Sequence, residues 1–216
     1  MIDKTTDHAT RSALVVVDVQ NCFTQPMGSF DAALANGSVA DFYQRVDDVV
    51  IPSLKRLLAH FRVQQWPIYF TEMGSLRADG ADLPLALRRI NESSIASTGK
   101  PAIPPLDNDT ARTDERIAPA PGEIVFRKTT TGTLGSSPLA QNLLSLGYSS
   151  VCVAGIVTDC CVSQTARELA DMDFDVTIIE DACASYVTAH HRAVLEIFAN
   201  YYGTVNSADG VIAMLD

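Results

Sequence analysis

Strand-like and helix-like stretches alternate along most of this chain, and the alternation limits the folds open to it. Residues 12–18 read SALVVVD, a β-branched run typical of a strand that is covered on both faces. Five further strands are predicted, at 67–71, 123–126, 150–156, 174–180 and 203–206. Helical spacing or position predicts helices at 39–65, 137–147, 158–172, 187–202 and 208–215. Repeated β-α-β units predict an α/β domain with a mainly parallel sheet and helices on both faces.

Three stretches fit this alternation less well. Pro52 lies within the predicted helix 39–65 and is expected to kink it or divide it in two. Residues 20–36 read as a loop. Residues 72–122 hold six prolines without clear periodicity, so we expect a lid, a subunit contact or a surface insertion without a chemical role. No linker divides the chain, and one domain spanning 1–216 is predicted.

Charge and composition exclude several classes of function. The chain has 16 Lys and Arg against 26 Asp and Glu, a formal net charge of −10, so we expect no nucleic-acid partner and no anionic membrane surface. Residues 1–11 are polar and lack the apolar core of a secretory signal. No apolar run approaches the roughly 18 residues of a membrane span. These features favour a cytoplasmic globular protein.

Five cysteines, an odd number, are scattered along the chain at Cys22, Cys152, Cys160, Cys161 and Cys183. They are too few and too irregularly spaced for a disulfide framework. One interpretation is a set of buried thiols in a reducing compartment. The other is that a single thiol carries the chemistry.

Chemically active side chains occur where predicted strands end, and ligands bind at the carboxyl edge of an open parallel sheet. Asp18 closes the first strand, Lys128 follows Phe126, and Cys160 and Cys161 open a helix. A helix N-terminus and a nearby lysine favour a thiolate, and an aspartate can carry its proton. Each residue alone also fits a structural role, as a helix cap, a solvated lysine or a small buried side chain. The residues alone leave both interpretations open.

Three segments resemble the isochorismatase-like cysteine hydrolases. They read VVVDVQNCF at 15–23, RKTTTGTLGSSPL at 127–139, and AGIVTDCCVSQTARELADMDFDVTIIEDA at 154–182. The resemblance implies a Rossmann-like, three-layer α/β/α domain with about six strands. It also implies a catalytic triad in which Asp18 is the general acid and base, Lys128 the cation and Cys161 the nucleophile.

The choice between the two adjacent cysteines rests on this resemblance, because the family pattern T-x-x-C-V begins at Thr158 and leaves Cys160 as a neighbour. The family also has a cis peptide before the nucleophile, expected here between Ile156 and Val157. The N–H groups of Val157 and Cys161 are then expected to hold an oxyanion.

Departures from the family narrow the activity. Residues 69–80, YFTEMGSLRADG, lack the histidines with which its nicotinamidases bind a metal, so we expect no metal, no other cofactor and no nicotinamide substrate. The isochorismatases proper lack the cysteine. Leu134 and its neighbours replace a family aromatic, which suggests a smaller or more polar pocket wall. The remaining subgroup hydrolyses small linear amides and ureido compounds such as ureidoacrylate, biuret or maleamate.

Further candidates are weaker. Gln20 and Asn21 could orient Asp18, contact substrate or form a turn, and Phe23 and Leu134 are candidate substrate contacts. His190 and His191 could face the site, although a surface or cap role is the commoner one. Arg77, Arg88 and Arg89 could meet an anionic substrate. Asp181 is expected to be a structural hydrogen-bonding partner.

Alternative functions remain open at the level of sequence. One is a non-catalytic α/β module that binds a small ligand at the same crevice. Another is hydrolysis of a different small molecule, as in the isochorismatases or nicotinamidases. The apolar surface of residues 72–122 and of the last helix favours a homo-oligomer, a dimer or tetramer.

Overall fold

A six-stranded parallel sheet organises the protein in the computed structural model, which describes residues 12–26 and 39–215. In chain order the strands are β1 (Ser12–Val17), β2 (Ile68–Met73), β3 (Ile124–Lys128), β4 (Ser150–Ile156), β5 (Asp175–Ala184) and β6 (Thr204–Asn206). Their order across the sheet is β3-β2-β1-β4-β5-β6, and every neighbouring pair is parallel. The predicted α/β fold with a parallel sheet is confirmed.

Seven helices accompany the sheet in the described part of the chain. They are α1 (Asn21–Thr24), α2 (Ala40–Arg45, Val46–Val50 and Ile51–Val63 in succession), α3 (Leu85–Thr98), α4 (Leu139–Ser145), α5 (Thr158–Val162 followed by Ser163–Ala170), α6 (Thr188–Tyr201) and α7 (Ala208–Leu215). α2 packs against α7, and α5 packs against α6. None of the described helices is long and apolar enough to cross a bilayer.

The first strand lies at the centre of the sheet and fixes its carboxyl edge. All six residues of β1 are buried, and the strand pairs with β2 on one side and β4 on the other. Gly155 of β4 lies opposite Val17 with a φ of +128°, and a Cβ atom there would lie 2.1 Å from the Val17 carbonyl oxygen. A glycine is therefore required where β1 and β4 approach each other.

The helix around Pro52 changes its type without being divided by a loop. The chain stays helical from Ala40 to Val63, and residues Val46–Val50 form a π-helical stretch just before the proline. Because proline has no N–H to donate to the preceding turn, a wider turn there is a natural accommodation. No loop divides the helix.

The segment 72–122 contains one well-formed helix that the sequence did not predict. Its buried positions in α3 are Leu87, Asn91 and Ser94, two of which are polar. The apolar spacing on which a helix prediction depends is therefore weak. The Asn91 side chain accepts from the N–H of Ile103 at 2.8 Å and donates to its carbonyl at 3.1 Å. These bonds fix the chain that follows α3.

Three strands extend further toward the carboxyl edge than predicted, and the first of them, β2, ends at Met73 instead of Thr71. β3 ends at Lys128 itself, and β5 continues to Ala184 past an irregularity in its pairing with β4. The extension of β3 places Lys128 within the sheet, where backbone pairing with β2 fixes its position. The predicted loop at 20–36 contains α1, and its residues 27–36 lie outside the described residues.

Candidate active site

Asp18 and Lys128 meet beneath the carboxyl edge of the sheet. Asp18 directly follows β1, and Lys128 ends β3, two strands away. The Lys128 Nζ lies 2.8 Å from Oδ2 of Asp18, and both side chains are almost completely buried. A charged pair this deep requires further polar partners, because burial removes the water that would otherwise solvate it.

The Lys128 ammonium has those partners. Its Nζ donates to the carbonyl oxygens of Thr130 at 2.8 Å and Thr131 at 2.7 Å. With Asp18, these contacts match its three N–H donors. Burial lowers the pKa of Lys128, but the Asp18 carboxylate and the neighbouring thiols of Cys161 and Cys160 together raise it more, and the net pKa is above the usual value. The group stays a fixed positive charge.

Thr71 of β2 holds Asp18 in place and was not among the predicted site residues. Its hydroxyl donates to Oδ1 of Asp18 at 2.6 Å and accepts from the Asp18 N–H at 3.1 Å. Asp18 has a φ of +51°, an uncommon conformation for a residue other than glycine. The one available signal was a polar residue at the end of the strand PIYFT.

Cys161 lies in the first turns of α5 and only 3% of its surface is exposed. Its sulfur is 3.8 Å from the sulfur of Met73, at the end of β2. The peptide bond between Ile156 and Val157 is cis, as expected. Cys160, the neighbouring thiol, is partly exposed.

The two adjacent thiols influence each other's ionisation. A hydrogen bond between them raises the pKa of Cys161 and lowers that of Cys160. Burial raises the pKa of both thiols, and the positive charge of Lys128 lowers both. The pKa of Cys161 ends well above its usual value, which favours a neutral thiol at this position.

The remaining cysteines, Cys22, Cys152 and Cys183, are buried and free of disulfides. Burial raises the pKa of each thiol, for Cys152 and Cys183 to about 12. They are inert apolar packing residues at neutral pH.

A small cavity of about 50 Å³ lies over Cys161. Its lining residues are Asp18, Phe23, Met73, Leu87, Ile90, Ile103, Ile156, Val157, Cys160, Cys161 and Tyr186. We call Asp18, Ile156, Val157, Cys160 and Cys161 the floor, and Leu87, Ile90 and Ile103 the roof. The whole roof comes from segment 72–122, so part of that segment covers the site. Among the described residues, no three His, Cys, Asp or Glu side chains are grouped as metal ligands would be.

Comparison with known proteins shows the family to which this chain belongs. The Isochorismatase domain matches residues 12–210. The chain belongs to the isochorismatase family. Among its relatives are the N-carbamoylsarcosine amidase of an Arthrobacter species, 24% identical over 97% of this chain and 73% of that protein, and the ureidoacrylate amidohydrolase RutB of Variovorax paradoxus, 24% identical over 95% and 81%.

Solved structures share the fold of this isochorismatase-family chain. A cysteine hydrolase from Pseudomonas syringae pv. phaseolicola superposes with a TM-score of 0.78 at 21% identity, covering 100% of this chain and 96% of that one. The N-carbamoylsarcosine amidase of Thermoplasma acidophilum gives a TM-score of 0.68 at 20% identity, with 93% and 98% coverage. At these identities the likeness concerns the fold alone.

Among the other predicted contacts of this isochorismatase-family site, Phe23 and Val157 line the cavity, whereas Gln20, Asn21 and Leu134 do not. The Gln20 side chain bonds with the N–H and carbonyl of Met73 and with the carbonyl of Ala111, so its polar atoms face protein. Asn21 lines a separate polar groove. The Leu134 N–H donates to Glu168 on α5 at 2.9 Å.

His191 supports the helix of the nucleophile, whereas His190 is exposed beside Asp159. Burial, together with the positive charge of Arg45, lowers the pKa of His191 to about 4. The ring is therefore neutral at pH 7. Since Arg45 can only donate to Nε2, at 3.3 Å, Nδ1 carries the proton and donates to the Thr158 hydroxyl at 2.8 Å. Thr158 begins the turn that carries Cys161.

The arginines considered for an anionic substrate lie away from the cavity. Arg77 pairs with Asp79 on the surface at 2.7 Å. Arg88 lines a different cavity, and Arg89 is exposed. The last of the weaker candidates, Asp181, accepts hydrogen bonds from Ser53 at 2.8 Å and from the N–H of Ala208 at 2.7 Å, contacts that join β5 to α2 and α7.

Proposed function

We propose that this chain is a cysteine-dependent amidohydrolase that cleaves the C–N bond of a small linear amide or ureido compound, of the ureidoacrylate, biuret or maleamate kind. The observation that carries the proposal is the buried Lys128–Asp18 pair, which lies with the Cys161 thiol beneath one small cavity. Family membership and relatives named as amidase and amidohydrolase support the same class of reaction.

The first half of the reaction forms a thioester. Asp18 takes the proton of the Cys161 thiol, and the sulfur attacks the substrate carbonyl carbon. The N–H groups of Val157 and Cys161 receive the oxyanion of the tetrahedral intermediate. The C–N bond then breaks, and the proton held by Asp18 leaves with the amine or ammonia.

The second half returns the enzyme to its resting state. A water molecule gives a proton to Asp18 and attacks the thioester carbonyl. The C–S bond breaks, the product acid or carbamate leaves, and the proton returns to the Cys161 sulfur. Lys128 is the fixed charge in both halves, because it stabilises the carboxylate and the transient thiolate without giving up a proton.

The neutral resting state of Cys161 makes the position of Asp18 important. A thiol whose pKa is raised by burial and by Cys160 needs a base within its own cavity. Asp18 lines that cavity, and its Oδ1 is fixed by Thr71 while Oδ2 contacts Lys128. This arrangement orients the carboxylate before substrate arrives.

Ammonia release from a panel of small amides and ureides tests the proposal. We expect turnover by the wild-type protein and, in Cys161→Ala, a rate lower by about 10⁴-fold or more. Cys160→Ala is the matched control, because it removes the adjacent thiol but leaves the nucleophile. Mass spectrometry of acid-quenched protein should find the acyl adduct on Cys161. Full activity in Cys161→Ala would refute the scheme, and loss of activity only in Cys160→Ala would move the nucleophile by one residue.

A further inference from the structure

We propose that the site selects neutral, largely apolar amides or ureides and discriminates against substrates that carry a carboxylate. This inference rests on the proposed function and deepens it. Ureidoacrylate and maleamate carry a carboxylate, whereas biuret and simple alkyl amides or alkyl ureas do not. The juxtaposition behind it is an apolar roof closed over a floor beneath which the Lys128 ammonium already has three partners among the described residues.

The described lining of the cavity contains no cation that could pair with a carboxylate, although the Tyr186 side chain also lines it. Among its described residues none is Lys, Arg or His, and the one charged side chain is that of Asp18. The roof and walls present aliphatic, thioether and aromatic groups from Leu87, Ile90, Ile103, Met73 and Phe23. An anion in such a place loses its water without gaining a counter-charge.

The nearest cation has no donor to spare. Lys128 does not line the cavity, and its ammonium is taken up by Asp18 and the carbonyls of Thr130 and Thr131. A substrate carboxylate would have to displace Asp18, the group on which proton transfer depends. Binding an anion through Lys128 would therefore disable the reaction.

Other cations of the described residues do not line the cavity. Arg88 and Arg89 lie on α3, beside the roof residues Leu87 and Ile90, and are exposed. The arginine that approaches from the opposite side, Arg45, donates to the carbonyls of Cys183 and Glu180 and to His191. Arg127, next to Lys128, is half exposed and lies 3.8 Å from Glu72 at a separate groove. Residues 27–38, MGSFDAALANGS, contain no Lys, Arg or His.

Two matched pairs of substrates test the inference. Butyramide and succinamate have the same number of carbons, and in succinamate a carboxylate replaces the terminal methyl group. N-ethylurea and N-carbamoylglycine form the corresponding ureido pair. From initial rates of ammonia release, we expect kcat/KM for each neutral compound to exceed that of its anionic partner by about 100-fold or more.

A roof variant should change this preference. Ile90→Arg places a guanidinium at the partly buried lining position of α3. We expect it to lower the ratio of kcat/KM for butyramide to kcat/KM for succinamate at least about tenfold. Ile95→Arg is the control, because Ile95 lies on the same helix, is 50% exposed and does not line this cavity. It should leave the ratio unchanged.

Alkylation gives a reading of the same selectivity without turnover. Iodoacetamide is neutral, and iodoacetate is its anionic counterpart. Mass spectrometry gives the rate at which each reagent alkylates Cys161. The ratio of the two alkylation rates is then compared with the same ratio for the thiol of free glutathione. We expect Cys161 to favour iodoacetamide about tenfold more than glutathione does.

Faster hydrolysis of succinamate than of butyramide, or of N-carbamoylglycine than of its neutral partner, would overturn the inference and leave the proposed function intact. An alkylation ratio at Cys161 like that of glutathione would do the same. A folded protein that releases ammonia from none of the four compounds but keeps the alkylation preference would instead count against the proposed function.

Discussion

The floor of the cavity contains Asp18 and Cys161 with Lys128 behind them, whereas the roof consists of Leu87, Ile90 and Ile103. The charged groups of the floor are fixed by specific partners, such as Thr71 for Asp18 and two backbone carbonyls for Lys128. The roof makes only apolar contact with the cavity. The floor comes from strand ends and the first turns of α5, and the roof from the segment between β2 and β3.

We infer from this difference that the floor carries the groups that react and the roof determines which substrates bind. Groups that share a charge or a proton must be held within a few tenths of an ångström, and strands and helix starts provide that precision. Apolar groups that exclude water can vary in shape with little effect on the bond-making atoms. We therefore expect changes in the floor to lower kcat and changes in the roof to alter KM.

Removing one charge of the buried pair should have the largest effect. Lys128→Met and Asp18→Asn should each lower kcat by about 1,000-fold or more, because the proton carrier or its counter-charge is lost. Each should also lower the free energy of unfolding by about 3–5 kcal/mol, since the remaining charge is buried without compensation. Urea unfolding and steady-state rates measure the two effects.

The double variant Asp18→Asn/Lys128→Met distinguishes catalysis from stability. With both charges gone, the free energy of unfolding should recover most of what each single variant lost, while activity stays absent. Additive destabilisation in the double variant would contradict a direct interaction between the two side chains.

The floor was largely predictable from the sequence, and the reason lies in chain topology. A buried β-branched run identifies β1, parallel pairing brings strand ends to one edge, and so Asp18, Lys128 and the cysteines fall together. The residues alone could not choose between Cys160 and Cys161. That choice came from the family resemblance.

The residues that hold the floor in place, and the helix that forms most of the roof, could not be predicted from the sequence. The physical reasons differ. Thr71 reads as an ordinary strand residue, and its role depends on the Asp18 backbone turning toward it. α3 was missed because its buried face includes Asn91 and Ser94. Gln20, expected near substrate, turns its polar atoms to the backbone of Met73 and Ala111, a contact between distant parts of the chain.

A pH titration tests the support beneath the nucleophile. His191 has a pKa lowered to about 4 by burial and by Arg45, against about 6.5 in an unfolded chain. Between these values the unfolded state binds more protons, so the His191 contribution to stability is complete above pH 6.5 and is lost as the pH falls toward 4. The loss amounts to about 3 kcal/mol.

His191→Asn supplies the matched variant for that titration. Asparagine can still donate to Thr158 but takes up no proton, so the difference in unfolding free energy between wild type and variant should shrink from pH 7 to pH 4.5. Urea unfolding at several pH values measures it. Parallel pH profiles for the two proteins would contradict a neutral, buried His191.

Thr71→Val examines whether the floor depends on orientation as well as charge. Valine keeps the volume of Thr71 but loses the hydroxyl that donates to Oδ1 of Asp18 at 2.6 Å. We expect kcat to fall by about 10- to 100-fold with KM little changed, because the carboxylate is present but less well aimed. Thr110→Val, at a partly exposed position that does not line the cavity, is the control. A proportional rise in KM would instead indicate that Thr71 contacts substrate.

Leu87→Ala tests the opposite expectation, for the roof. Leu87 is 5% exposed and lines the cavity, and its truncation opens space above the substrate without touching Asp18, Lys128 or Cys161. We expect KM for butyramide to rise by about tenfold, from lost apolar contact, while kcat stays within about a factor of two. Leu85→Ala controls for the helix, because Leu85 also lies on α3 but is 54% exposed and does not line the cavity. If Leu87→Ala lowered kcat as strongly as Thr71→Val, the roof would have to position the reacting atoms, and the separation of selection from chemistry would fail.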